Sequence, residues 1–338
     1  MNRYERQIKL QEVGTGGQDK LRHAKVLIIG VGGLGCPAAL YLSAAGVGNI
    51  GLMDHDKVDV TNLHRQVLFQ ESDLGKPKAV AAAEQLSKRN SEVVFEIIQE
   101  ALTQENAQSI IDRYDIVLDG TDNFETKYLI NDACILSEKP WVYASIYKNE
   151  GQLSVFNHQN GPSYRCLFPK TTRQNISCEA TGVLGVLPGM LGIMQATEVL
   201  KMILGKGEVL SSKLKLFNIF SGAEQIINIK KRPEEIEKII MSGIVPVKVE
   251  CTLKSEFQWY LDVRESFEQP KPSGNNILKI PMADLVVRHH EIPKDQEVMV
   301  FCQSGKRSQN AIEILEREFG FSNLINVEGG IETIINGD

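Results

Sequence analysis

The sequence is short of several features that would indicate particular partners or compartments. Positive charge is not in excess, because 37 Lys and Arg stand against 43 Asp and Glu. This balance argues against nucleic acid as a partner. Residues 1–11 lack the apolar core of a signal peptide. The longest apolar stretch, residues 183–194, contains Pro188 and three glycines and is too short to span a bilayer. We therefore expect a cytoplasmic protein with no membrane segment.

Cysteine and histidine are present without a recognisable pattern. The six cysteines are scattered along the chain, at positions 36, 134, 166, 178, 251 and 302. They show no disulfide framework, so we expect reduced thiols. The six histidines show no ligand spacing with an acidic partner. The remaining composition, 42% hydrophobic and 24% charged over 338 residues, is typical of a globular chain with two domains.

Strand and helix signals alternate in the first part of the chain. Apolar runs predict strands near residues 26–29, 49–54, 93–98, 115–119 and 141–145, with helices between them. This alternation is typical of an α/β fold, a Rossmann-like and mostly parallel sheet flanked by helices. Residues 14–17 are predicted as a loop. Later segments predict an antiparallel strand, an apolar helix and two closing strands, at 151–157, 183–204, 213–219 and 224–230.

The sequence predicts a boundary between two domains. The first domain is expected to cover residues 1–230, and a charged linker is expected at 231–250. A smaller α/β domain is expected at 251–338, because two apolar strand signals there are followed by a helical segment.

A glycine-rich turn follows the first predicted strand. The sequence GVGGLG at residues 30–35 joins that strand to a helix, and its four glycines let backbone N–H groups approach a phosphate. These glycines are Gly30, Gly32, Gly33 and Gly35. Asp54 lies about 20 residues further on, where a carboxylate accepts hydrogen bonds from ribose hydroxyls. The turn alone fits NAD as well as ATP.

The residues after the second strand favour a triphosphate. Polar side chains crowd this loop, namely Asp56, Asn62, Arg65 and Gln66. Lys78 opens the next helix. A triphosphate carries more charge than the pyrophosphate of a dinucleotide, and it needs fixed cations, which Arg65 and Lys78 supply. Asp122, in the sequence DGTDN after another strand, could hold Mg²⁺. The sequence therefore predicts an ATP site.

Four motifs occur in one order: GVGGLG, a TNLHRQ phrase after Asp54, GKPKA and DGTDN. In this order they resemble the MoeB/ThiF branch of the ubiquitin-activating superfamily over residues 1–230. The resemblance implies MgATP-dependent adenylation of the C-terminal glycine of a small ubiquitin-fold sulfur carrier that ends in Gly-Gly, of the ThiS/MoaD type used in thiamine and molybdenum cofactor biosynthesis.

The resemblance also assigns residue roles. It implies that Asp54 holds the ribose, that Asn62, Arg65 and Lys78 hold the phosphates, and that Asp122 holds magnesium. It further implies a homodimer in which Arg6 reaches the γ-phosphate bound by the neighbouring subunit.

A second resemblance covers residues 251–338. LDVRE at 261–265, CQSGKRS at 302–308 and a final GGI resemble a rhodanese-like sulfurtransferase domain. Cys302 stands at a predicted strand–helix junction, where backbone N–H groups and the cations Lys306 and Arg307 favour a thiolate. The resemblance implies that Cys302 carries a persulfide supplied by a donor such as a cysteine desulfurase. Transfer of that sulfur to the acyl-adenylate yields a thiocarboxylate. A packing role for Cys302 is the alternative.

Two further cysteines bear on the resemblance. Cys178 matches the crossover-loop cysteine that some relatives use in acyl or sulfur transfer, although it could be a spectator. Many relatives hold a structural zinc with two CxxC pairs. Here Ser163 replaces the first cysteine of the pair that ends at Cys166, and the second pair is missing. We therefore expect no structural zinc.

Other function classes remain open on the sequence alone. One is an NAD-dependent oxidoreductase fused to a sulfurtransferase, and another is a carrier-binding scaffold without turnover. A relative that modifies transfer RNA by dehydration is disfavoured by the rhodanese-like tail.

Overall fold

The computed structural model describes residues 3–169, 182–245, 251–252, 259–273, 276–331 and 334. Within these ranges the chain forms two compact units, one built from residues up to 245 and one from residue 251 onward. Each unit has its own sheet and hydrophobic core.

Eight strands of the first unit form one sheet in the order β3-β2-β1-β4-β5-β6-β7-β8. The strands are β1 Lys25–Ile29, β2 Asn49–Met53, β3 Val94–Ile98, β4 Ile116–Asp119, β5 Trp141–Tyr147, β6 Glu150–Phe156, β7 Lys213–Asn218 and β8 Glu224–Asn228. β1 to β5 pair in parallel, and β5 to β8 pair antiparallel. The predicted α/β fold class is confirmed.

Helices of the first unit connect and cover this sheet. They are α1 Glu5–Ile8, α2 Gly14–His23, α3 Gly35–Ala45, α4 Lys78–Arg89, α5 Ala107–Ile111, α6 Phe124–Leu136, α7 Tyr164–Leu167, α8 Val186–Leu204 and α9 Pro233–Ser242. The core lies between the sheet and helices such as α3 and α8, which explains why β1 and β4 are apolar without alternation.

The loops that follow β1 and β4 meet at the point where the strand order reverses. Ile29 lies opposite Asp119 in the parallel register, so both loops open at the same edge of the sheet. A Cβ on Gly120 would lie 2.2 Å from the Gly30 carbonyl oxygen, and one on Gly35 would lie 2.1 Å from it. Only glycine permits this approach of two backbones. Such a reversal point is the usual ligand crevice of an open α/β sheet.

Two predictions made from the sequence need revision. Residues 14–17 are not a loop, because they begin helix α2. The segment expected as a linker contains helix α9, which packs against α6 and α7. Pro233 stands at its first position and Glu234 in its first turn, both of which favour a helix start, and Ile239 is buried. The charged residues of this segment predicted a linker, but together with its apolar residues they form an amphipathic helix.

By length and composition, α8 is the one described helix that could cross a membrane. It packs against α3 and the strands β5 and β6, and Leu187, Leu191 and Val199 are fully buried. A buried core helix passes the same length and composition test, and these contacts place α8 in the core of the first unit.

The second unit contains a four-stranded parallel sheet in the order β12-β10-β13-β14. Its strands are β10 Trp259–Asp262, β12 Ile277–Lys279, β13 Val298–Phe301 and β14 Leu324–Asn326, and a separate two-stranded pair joins β9 Cys251–Thr252 to β11 Pro272–Ser273. Its helices are α10 Leu285–Arg288 and α11 Lys306–Phe319. Leu261, Val300 and Leu315 are fully buried in its core.

Candidate active sites

Asp54, at the carboxyl end of β2, is hydrogen-bonded to the glycine loop. Its carboxylate accepts the backbone N–H of Val31 at 2.8 Å and that of Asp56 at 2.9 Å. Only 8% of the residue is exposed. Burial raises the pKa of Asp54, while the charge of Lys78 and the two N–H groups oppose the rise. Asp54 therefore orders the loop, and its role toward ribose stays a prediction.

Lys78 is a fixed cation beside this loop. It begins α4, it is buried, and its Nζ lies 2.9 Å from an oxygen of the Asp56 carboxylate. The Asp56 side chain is more than half exposed. An anionic ligand that approaches from solvent can therefore share Lys78 with Asp56. The structure places Asp56 against Lys78, and its predicted contact with the nucleotide is untested.

His55 corrects one expectation about the histidines. The ligand atoms of Asp54, His55 and Asp56 lie within 4.8 Å of one another, so this histidine does have acidic neighbours. These three residues are consecutive in the turn after β2, and the turn brings their ligand atoms together. His55 and Asp56 are exposed and Asp56 is paired with Lys78, so the cluster carries no conclusion about a metal.

Arg65 and Asn62 lie in the turn after β2. One Arg65 Nη donates to the Thr61 carbonyl at 2.9 Å and lies 2.9 Å from His64 Nε2. No carboxylate of the described residues forms a salt bridge with Arg65, which leaves its charge available to an anion. Asn62 accepts the backbone N–H of Asp59 at 3.1 Å, and this bond shapes the turn.

Gln66 is buried beside the glycine loop. A Cβ on Gly32 would lie 3.7 Å from Gln66 Nε2, so the two residues face each other. Gln66 Oε1 is buried without a hydrogen-bond partner among the described residues. An unpaired buried carbonyl oxygen costs about 1–3 kcal/mol unless a ligand or water supplies a donor. This orphaned oxygen is consistent with a ligand in the crevice.

The loop after β4 is held by a buried network that the sequence did not reveal. Lys127 Nζ donates to Asp119 at 2.6 Å, to the Thr121 carbonyl at 2.9 Å and to the Ala144 carbonyl at 2.9 Å. Gln195 on α8 donates to the Asp119 carbonyl at 2.7 Å. The sequence signal for this network is Lys127, a lysine within the mostly apolar helix α6.

Asp122 extends from this anchored loop. It is exposed, and its carboxylate has no hydrogen bond or ion pair among the described residues. Mg²⁺ prefers such an oxygen ligand together with phosphate oxygens and water. Asp122, Arg65 and Lys78 therefore fit a magnesium–polyphosphate group in kind and charge. The carboxyl ends of β2 and β4 supply the loops that carry them.

Arg6 and Cys178 are not brought into this cluster by the described structure. Arg6 is exposed on α1 and forms no salt bridge within the described residues. Cys178 lies outside the described residues. Gly185, a few positions after it in sequence, packs closely on the turn of Arg65, since a Cβ there would lie 2.4 Å from the His64 carbonyl oxygen.

The sulfur of Cys166 is hydrogen-bonded to backbone groups of the protein. Cys166 Sγ accepts the backbone N–H of Ser163 at 3.4 Å and that of Arg232 at 3.3 Å. Next to it, Arg165 forms a buried bidentate pair with Asp132 at 2.7 Å. No other cysteine, histidine or carboxylate of the described residues joins Cys166 in a potential metal cluster. The expected absence of zinc stays a prediction.

Cys302 follows β13 in the second unit and is buried. Its Sγ accepts the backbone N–H of Gly305 at 3.1 Å and the hydroxyl of Ser308 at 3.5 Å. Burial alone would raise the pKa of the thiol, but Ser308 and the backbone N–H groups of Ser304, Gly305 and Ser308 together lower it below its ordinary value. The loop therefore favours a thiolate, as predicted.

One of the two cations of this loop is engaged by a carboxylate. Arg307 forms a bidentate salt bridge with Glu268, with both N–O distances 2.6 Å. Lys306 is exposed. Hydrogen bonds from uncharged donors have the largest lowering effect on the pKa of Cys302, and the charge interaction between Arg307 and the thiolate acts in the same direction. Asp262 and Arg264 form a second, buried pair at the end of β10.

Comparison with known proteins identifies the family of each unit. The ThiF family model matches residues 4–238, and the rhodanese-like domain model matches residues 253–336. The adenylyltransferase and sulfurtransferase MOCS3 of Culex quinquefasciatus is 36% identical over 97% of this chain and 86% of its own length. The sulfur carrier protein adenylyltransferase of Thermus thermophilus is 44% identical over 69% of this chain and 89% of its own length.

A solved structure resembles the first unit. The crystal structure of E. coli MccB with ATP has a TM-score of 0.61 and 26% identity, and the match covers 69% of this chain and 73% of that chain. The match supports the α/β fold, and the names of the two relatives above favour an adenylyltransferase over the nicotinamide alternative. With a family model across most of its length and relatives matched nearly end to end, the chain belongs to the ThiF family and carries a C-terminal rhodanese-like domain.

Proposed function

We propose that this enzyme adenylates the C-terminal glycine of a small ubiquitin-fold sulfur carrier with ATP and then converts the adenylate to a thiocarboxylate. The first half is supported by the crevice where the β1 and β4 loops meet. Arg65 packs against Gly33 of the β1 loop, Lys78 is paired with Asp56, and Asp122 stands on the β4 loop. The observation that carries the second half is the cradled sulfur of Cys302.

In the first step the carboxylate of the carrier attacks the α-phosphate of ATP, and pyrophosphate leaves. Arg65 and Lys78 are assigned to the negative charge that spreads over the phosphates. Asp122 is assigned to Mg²⁺, which when bound neutralises phosphate charge and orients the leaving group. Lys127 holds the Asp122 loop through its three hydrogen bonds. Most of the catalysis is then positioning and electrostatic stabilisation.

In the second step sulfur from a persulfide on Cys302 replaces AMP on the carrier. A persulfide sulfur attacks the acyl carbon, the acyl–phosphate bond breaks, and AMP leaves. The product is an acyl disulfide between Cys302 and the carrier. We assign Cys178 to its cleavage: the Cys178 thiolate attacks the sulfur of Cys302, the S–S bond breaks, and the thiocarboxylate leaves. The Cys302–Cys178 disulfide that forms is then reduced by an external thiol before Cys302 is loaded again. A cysteine desulfurase would be a suitable donor for reloading Cys302.

Pyrophosphate exchange tests the proposal. The full chain with ATP, magnesium and a carrier ending in Gly-Gly should exchange labelled pyrophosphate into ATP. A carrier that lacks its final glycine is the matched control and should support no exchange. NAD binding in place of carrier-dependent exchange would contradict the proposal, as would carrier binding without exchange.

We also propose a homodimer with two composite sites. Arg6 is an exposed cation without a salt bridge in the described chain, consistent with a partner subunit's phosphate as its ligand. Mixing Arg6→Ala and Asp122→Ala proteins should restore about a quarter of the wild-type activity, because half of randomly mixed dimers carry one intact site. Verified mixed dimers without activity would rule out shared sites.

A further inference from the structure

The salt bridge of Arg307 is a feature that the proposed reaction does not use. Nη1 and Nη2 of Arg307 each lie 2.6 Å from one oxygen of Glu268. The Glu268 side chain is mostly buried, and 40% of the Arg307 side chain is exposed. Glu268 also accepts the backbone N–H of Glu265 at 2.8 Å, which fixes its position. A bidentate pair in this setting neutralises the guanidinium and directs it toward Glu268.

The groups that donate hydrogen bonds to the Cys302 sulfur carry no charge. They are the N–H of Gly305 and the hydroxyl of Ser308. Arg307 nevertheless lies close enough for the thiolate to raise its pKa, after the larger effect of Glu268. The loop thus holds the guanidinium of Arg307 near the reactive sulfur, and the charge of that guanidinium is already paired with Glu268.

Persulfide and thiosulfate donors differ in the leaving group that Arg307 could bind. When the Cys302 thiolate attacks the outer sulfur of a persulfide R–S–SH, the S–S bond breaks, R–S⁻ leaves, and Cys302 keeps the S–SH with its proton. With thiosulfate the same attack leaves Cys302 with S–S⁻ and releases sulfite, which carries two negative charges. Neither step needs an oxidant. Sulfite oxygens match a free guanidinium in geometry and charge, whereas a leaving thiolate offers no oxygens.

We propose that Glu268 is a specificity-determining residue that withholds Arg307 from oxyanion donors and so makes Cys302 selective for persulfides over thiosulfate. The inference rests on the proposed role of Cys302 as the sulfur acceptor. It extends that role by assigning the donor class to one ion pair.

The test uses the full chain with the substitution Glu268→Gln. Glutamine removes the negative charge but keeps an oxygen for the N–H of Glu265. Single-turnover loading of Cys302 is followed by mass spectrometry with thiosulfate and, separately, with cysteine persulfide. Loading by thiosulfate should become about tenfold faster or more, the effect of a freed charged hydrogen-bond donor. Loading by cysteine persulfide should change little.

A matched control and a double variant test whether Arg307 causes the faster loading by thiosulfate. Glu291 forms the same kind of bidentate pair with Arg288, at 2.7 and 2.8 Å. Glu291→Gln should alter neither rate. Adding Arg307→Gln to Glu268→Gln should remove the gain with thiosulfate. A gain that persists in this double variant would show that Arg307 is not responsible, and the inference would be wrong.

Failure of the inference and failure of the proposed function look different. If cysteine persulfide loads Cys302 but neither Glu268→Gln nor Glu268→Ala speeds thiosulfate, the selectivity proposal is overturned and the function stands. If no donor loads Cys302 in the wild-type protein, the proposed sulfur transfer is wrong and the inference falls with it.

Discussion

The proposed nucleotide crevice, where the loops after β1 and β4 meet, and the sulfur loop, residues 302–308, carry their polar groups in different arrangements. In the crevice the charged groups come from separate loops, with Arg65 and Lys78 after β2 and Asp122 after β4. In the sulfur loop all the donors to Cys302 come from one short stretch, residues 304–308. A polyphosphate extends over several bonds and needs charges placed around it. A single sulfur atom is served by one turn and a helix start.

The cations of the two sites also differ in their availability. Lys78 shares its charge with an exposed carboxylate, and Arg65 has no carboxylate partner among the described residues. Arg307, in contrast, is held by the mostly buried Glu268. A cation in a sequence motif therefore indicates a binding site for an anion only when its carboxylate partners in the fold are known. Direct stabilisation of the thiolate by Arg307 stays a prediction, because the same guanidinium is paired with Glu268.

The sharpest way to separate the two sites is Cys302→Ala. It should abolish thiocarboxylate formation from a persulfide donor, because the acceptor sulfur is lost. Carrier-dependent pyrophosphate exchange should stay near the wild-type rate, since its groups lie in the first unit. A folded variant that loses exchange would show that the two reactions are not separable. One that still forms thiocarboxylate would move the sulfur acceptor to another residue, with Cys178 the first candidate.

The reverse dissection uses Asp122→Ala. Loss of this carboxylate should lower exchange on the order of 10²–10³-fold, the usual effect of removing one electrostatic contact to a transition state. Cysteine persulfide should still load Cys302. Asp112→Ala removes an exposed carboxylate after α5 and serves as the matched control, expected to leave exchange unchanged. An equal loss in both variants would indicate a general charge effect.

The third test asks whether neutral donors really hold the thiolate. The folded pKa of Cys302 is lowered, so thiolate persists at pH values where an ordinary thiol is protonated. Ser308→Ala removes one donor and should raise that pKa. At a pH below the ordinary thiol pKa, alkylation of Cys302 should slow about tenfold. Rates measured by mass spectrometry from acid to alkaline pH should converge at high pH, and an unchanged profile would contradict the hydrogen-bond account.

The smallest expected effect concerns the region of Cys166. Cys166→Ser should lower the free energy of unfolding by about 1 kcal/mol, because only hydrogen bonds to Ser163 and Arg232 change. Loss of a structural zinc would cost far more. Metal analysis of protein purified without chelator should find well under one zinc per chain. A stoichiometric metal, or a large loss that zinc rescues, would reveal ligands that the sequence did not show.

Local patterns in the sequence determined much of the molecule. Apolar runs predicted β1, β2 and β4, because a buried parallel strand needs a continuous apolar stretch. GVGGLG and CQSGKRS predicted their loops because the groups that act there are contiguous backbone N–H groups. Where composition misled, at residues 14–17 and in helix α9, glycine and charge obscured helical signals.

Only the tertiary structure decided which side chains meet. Lys127 pairs with Asp119 across a loop, Glu268 with Arg307 across 39 positions, and Cys166 with the backbone of Arg232 across 66. No periodicity or motif links such residues, because their contact depends on how elements pack. The sequence therefore determined where the reactive groups stand along the chain, and the fold decided which of their charges are paired and which are free to act.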